Sequence, residues 1–176
     1  MRNKNSRKKE ATKPPKQQPR SPVELDGDIA ILRADRVAAE RAILGEFIRE
    51  PNRAAAEIMT TPLGGKHFTG VRAVIFSSLL AAASERDVSR SDLRDAIVAA
   101  DGDQHALAEF DRIASSTSDR QGPRNRVPLV STLIDLCAKE DERRTERDNR
   151  VETLAERIRQ FTPQQVASDP RPVSFI

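Results

Sequence analysis

The sequence has neither tryptophan nor tyrosine, and only six phenylalanines in 176 residues. A large β-sandwich or barrel draws more heavily on aromatic and β-branched residues, so that class is excluded. The single cysteine, Cys137, excludes an internal disulfide framework and any zinc site built on several thiolates. No apolar run approaches the ~18–20 residues of a membrane span, and the first thirty residues lack a signal-peptide core. The composition points to a soluble, cytoplasmic, helical protein with reduced thiols.

Charge is abundant but unevenly placed. Residues 1–22 carry eight basic residues against the single acid Glu10, a net +7, whereas the remainder holds 22 basic and 26 acidic residues. The first segment has four prolines and almost no apolar side chain, so it cannot bury enough surface to offset the entropy of ordering. Residues 1–27 are therefore read as a disordered basic arm. Arg7, Lys8, Lys9, Lys13 and Lys16 are its candidate nucleic-acid contacts, acting by phosphate neutralisation. With no aromatic residue to stack on bases, the arm offers no single-strand specificity. The structural alternative is a solubilising extension.

Beyond the arm, apolar residues recur at helical spacing. Ile43, Leu44, Phe47 and Ile48 end a helix over 33–50, stopped by Pro51. Asn52 is the expected N-cap of a short second helix through Met59. A loop, Thr60–Gly65, precedes a third helix over 70–84, apolar around more than half its circumference and hence central. Ser89 or Ser91 caps a fourth helix bearing Leu93, Ile97 and Val98, and a fifth spans Gln104–Ser115. The last helix starts near Pro128. Its first half carries Leu129, Val130, Leu133, Ile134, Leu136 and Cys137. A charged stretch, Lys139–Arg150, follows, and then Val151, Leu154, Ile158 and Phe161 restore a stripe at three- and four-residue steps. The expected fold is all-α: a compact bundle of about five short helices followed by a long C-terminal helix forming a helical hairpin, with 104–115 antiparallel to 127–139. The bundle is assigned to 28–145, and a helical extension and tail to 146–176.

Catalytic constellations are missing. Gly64-Gly65-Lys66 lacks the earlier glycine and the following Ser or Thr of a phosphate-binding loop, having Thr60 and His67 there instead. His67 and His105 lie in separate segments without a third ligand at metal spacing. Cys137 sits on an apolar stripe and reads as a small buried hydrophobe. The expectation is a protein that is not an enzyme, with no cofactor and no metal. Two apolar faces on one helix, Leu129, Leu133 and Leu136, then Val151, Leu154, Ile158 and Phe161, exceed what one small bundle covers. They are the candidate partner or oligomer interface, and self-association is expected.

One stretch resembles a known family. Ala39-Glu40-Arg41-Ala42-Ile43-Leu44-Gly45-Glu46-Phe47-Ile48 with Glu50-Pro51 is similar to the opening of the N-terminal domain of DnaB-type replicative helicases. Lys66-His67-Phe68-Thr69 and Val71-Arg72-Ala73-Val74-Ile75-Phe76 resemble that family's Phe-containing loop and following helix. Ala106–Phe110 and Ala114–Thr117 resemble its fifth helix and Ser/Thr-rich turn. The likeness spans roughly 36–145, and departs from the family where Gly70-Val71 precede Arg72. It implies an all-α domain that assembles around a ring, pairs through helical hairpins, and docks primase or a helicase loader. The helicase-interaction domain of bacterial primase has a related fold. The RecA-like motor of a helicase has no counterpart here, so a free-standing assembly module of DNA replication is expected. The alternative is a nucleic-acid-binding accessory protein acting through the basic arm.

Overall fold

The computed structural model describes residues 19–85, 88–101, 104–117 and 127–166. Among them there are six α-helices and no strand: α1 (Pro22–Arg49), α2 (Pro51–Ile58), α3 (Val71–Glu85), α4 (Arg90–Asp101), α5 (Gln104–Thr117) and α6 (Val127–Val166). The all-α bundle with a long C-terminal helix is thus the observed architecture. No helix among the described residues is long and apolar enough to cross a membrane.

α1 begins eleven residues before the expected start at Arg33, because Ser21 closes a capping box. The Ser21 N–H donates to the Glu24 carboxylate at 2.7 Å, the Glu24 N–H donates to Ser21 Oγ at 3.3 Å, and Pro22 occupies the first helical position. Residues 22–27, assigned above to the arm, are therefore helical. Pro51 ends α1 and opens α2, so Glu50 caps both, and Asn52, the expected cap, lies inside α2. At α4 the cap is Ser89, whose Oγ accepts from the Asp92 N–H while the Asp92 carboxylate accepts from the Ser89 N–H.

The core gathers Ile43, Leu44 and Phe47 of α1, Ile75 and Leu79 of α3, Leu93 and Ile97 of α4, Phe110 and Ile113 of α5, and Leu133 of α6. Phe76 stacks on Phe68 with centroids 4.3 Å apart and meets Phe47 edge-on at 6.4 Å. Val98, expected on the inner side of α4, is exposed. The segment before α3 is a 3-10 turn, Gly65–His67, in which His67 Nδ1 accepts from the Gly64 N–H. Gly70 follows with φ +54°, the only positive φ among the described residues. A side chain would be strained in that left-handed conformation.

α6 takes a different neighbour from the one expected. Its longest contact is with α1, and α5 makes no close backbone approach to it among the described residues. Arg36 pairs with Glu140 and Asp26 with Arg147, so α1 and α6 run antiparallel and form the hairpin themselves. The helix also passes unbroken through 145–146, the expected domain boundary.

Candidate interaction site

The root of the hairpin is a buried ionic network that sequence reading missed. Glu40 is 0% exposed and lies on the apolar face of α1. An isolated carboxylate there would be prohibitive. Glu40 instead accepts from Arg36 Nε at 3.1 Å, from the Thr69 hydroxyl at 3.1 Å, and from Arg72 Nε. Arg36 also donates to Glu140 at 3.0 Å and to the His67 carbonyl at 3.0 Å. Arg33 and Arg144 complete the shell of Glu140, which is 1% exposed. Glu109 of α5 accepts a two-pronged pair from Arg41, at 2.7 and 3.1 Å, and a further bond from Arg72.

The network sets its own charge states. Arg41 holds the Glu109 carboxyl below the ordinary carboxylate range, its hydrogen bonds outweighing burial. Burial alone would raise Glu140, but hydrogen bonds from Arg36 and Arg33 and the charge of Arg144 bring it below that range. Glu109 and Glu140 are thus both held ionised by the arginines that surround them. The sequence signal was present: charged residues at positions 36 and 40 fall in the stripe running from Leu25 to Phe47.

A cleft of about 640 Å³ opens beside the network, lined by Arg36, Lys66, His67, Thr69, Cys137 and Arg144 among others. Each guanidinium nitrogen of Arg36 already donates one hydrogen bond to protein: Nε to Glu40, and the two terminal nitrogens to Glu140 and the His67 carbonyl. Cys137 is buried, its thiol contacts the His67 carbonyl at 3.6 Å, and burial raises its pKa. It behaves as the packing residue expected.

The structure divides the expected α6 interface in two. Leu133 is 0% exposed within the core of its own bundle, and Leu129 packs against that core, half-buried. Leu136 is half-buried too. On this proximal face Leu133 is enclosed by its own bundle, while Leu129 and Leu136 keep part of their surface exposed. Distally, Val151 and Leu154 are exposed, and Ile158 and Phe161 are 67% and 69% exposed. Between the two faces, Lys139–Arg150 is exposed along most of its length but meets α1 on one side. Glu140 and Arg147 pair with α1, and Leu25 and Ile29 are buried on the opposing helix. Arg7, Lys8, Lys9, Lys13 and Lys16 lie outside the described residues. No family model, no curated protein and no solved structure matches the chain.

Proposed function

We propose that this chain is a non-catalytic assembly module of DNA replication, akin to the N-terminal domain of DnaB-type helicases. It binds further copies of itself, or a replicative helicase, primase or loader, by helix packing on α6. One observation carries the reading: Val151, Leu154, Ile158 and Phe161 form an exposed apolar stripe on a helix that outruns its own hairpin. A solvent-facing stripe of large apolar residues at helical spacing is the mark of a helix that meets another polypeptide. The replication context comes from the sequence resemblance across 36–145.

The test is light scattering of the chain alone and mixed in turn with a bacterial replicative helicase, primase and loader. A complex that is lost in the double variant Leu154→Ser, Ile158→Ser is expected. A strict monomer at high concentration that binds none of the three overturns the reading.

The +7 balance of residues 1–22 favours a second reading, a nucleic-acid-binding accessory protein. Deleting residues 1–20 spares the Ser21 cap and should then abolish duplex binding and its steep salt dependence. Unchanged binding after the deletion refutes this reading.

A further inference from the structure

The exposed stripe on α6 continues the face that α6 already uses. Val130, Leu133, Cys137 and Glu140 are buried toward the bundle and α1, at steps of three and four residues. The same steps lead through Arg144 and Arg147 to Val151, Leu154, Ile158 and Phe161. That is one seven-residue repeat, the pattern of a helix seam built for a facing helix. As far as Arg147 the facing helix is α1, held there by the Asp26–Arg147 pair at 3.1 Å. One helical turn further along each helix, α1 begins at Pro22, level with Val151. Beyond that point the seam runs on from Val151 to Phe161, about 15 Å of α6, with its apolar side chains exposed among the described residues.

The missing cover is a helix in line with α1 and antiparallel to α6. Its charge is specified as well. Arg150 and Arg157 flank the seam on one edge, each one residue before a seam position, and neither has a carboxylate partner among the described residues. Ala155 stands on the other edge. The chain enters α1 at the root of this seam from a segment with eight basic residues and one acid.

A second copy fits this seam poorly. An antiparallel crossing centred between Leu154 and Ile158 sets Arg157 against its own duplicate. A parallel crossing drives the incoming α6, below its residue 150, into the place α1 occupies. We infer that the seam from Val151 to Phe161 receives an acidic amphipathic helix of a partner protein. That helix lies antiparallel to α6, continues the line of α1, and pairs its carboxylates with Arg150 and Arg157. This rests on the docking-module reading and selects its occupant.

Because the chain has no tryptophan, a Trp-bearing peptide can be followed against it by fluorescence anisotropy. The probes are two designed three-heptad helices with Leu and Ile at the seam positions, one with Glu at the flanking positions and one with Lys. The full chain should bind the Glu peptide at least about tenfold more tightly than the Lys peptide. Ile158→Ser should weaken both peptides, and Arg157→Glu should reverse the preference without lowering the helical circular dichroism signal. Equal binding of the two peptides overturns the proposal, as does a preference untouched by Arg157→Glu. A homodimer dissolved by Ile158→Ser, with no peptide bound, also overturns it but leaves the docking module standing. A monomer that binds neither peptide nor the replication proteins removes both.

Discussion

Arg36 and Glu140 stand 104 positions apart in the chain and 3.0 Å apart in space. Each is almost fully buried, and their pair is where the first helix grips the last. Glu140→Ala leaves Arg36 with Glu40 as its one remaining counter-charge, and removing one member of a buried pair costs up to about 3–5 kcal/mol. Urea denaturation followed by circular dichroism should show that loss. The double variant Arg36→Met, Glu140→Leu should regain only part of it, because an apolar pair avoids desolvating two charges but leaves buried Glu40 to Arg72 and Thr69 and the His67 carbonyl without its Arg36 donor. Equal stability of Glu140→Ala and the parent chain would refute the gripping role.

Acid should undo the same network. The carboxyls of Glu109 and Glu140 are lowered in the folded state, Glu109 by Arg41 above all and Glu140 by its arginine shell acting against burial. The unfolded chain therefore takes up protons at higher pH than the folded one. Their stabilisation is complete above the ordinary carboxylate range and is lost as pH falls through the depressed folded values. Denaturation midpoints measured from neutral to acid pH should fall across that window. The double variant Glu109→Gln, Glu140→Gln should be less stable at neutral pH and show a shallower fall.

Two leucines on α6 should separate folding from binding. Leu133→Ala opens a cavity in the core and is expected to cost about 2–5 kcal/mol. Leu154→Ser removes an exposed side chain and should change stability by less than ~0.5 kcal/mol while weakening partner capture. Thermal melts and light scattering read the two effects independently. A large loss of stability in Leu154→Ser would mean that the distal stripe belongs to the fold.

Cys137 gives a probe of the hairpin root. Its thiol is buried and its pKa raised by that burial, so alkylation should be slow in the native protein and rapid in denaturant. Native-state labelling as fast as that of a free thiol would place the residue outside the core.

Much of this fold is legible from periodicity. The positions of Ile75 and Leu79 on α3, and of Phe110 and Ile113 on α5, declare buried faces by their spacing alone. What periodicity omits is which face meets which. The long apolar first half of α6 suits α5 as well as it suits α1, and only the charge pattern decides between them. Arg33, Arg36 and Glu140 read separately as solvated residues, because a buried ion pair is a tertiary event between segments far apart in sequence. The early start of α1 is written in Ser21 and Glu24, a cap signature hidden by the polar residues around it. The distal stripe is legible for a simpler reason: its three- and four-residue spacing alone declares it, and among the described residues it stays exposed.

α6 is a single rod of 40 residues, about 60 Å from end to end. Whatever clasps its tip is held at a fixed reach from the globule, and at a fixed rotational phase. Lengthening the rod by two residues between Asp148 and Val151 would swing the tip through about half a turn, carrying its apolar side away from the axis of the first helix. Seven added residues would bring it back to within roughly 20°. On the docking proposal, such a rod would be a gauge as well as a grip, setting both the distance and the bearing at which a companion sits.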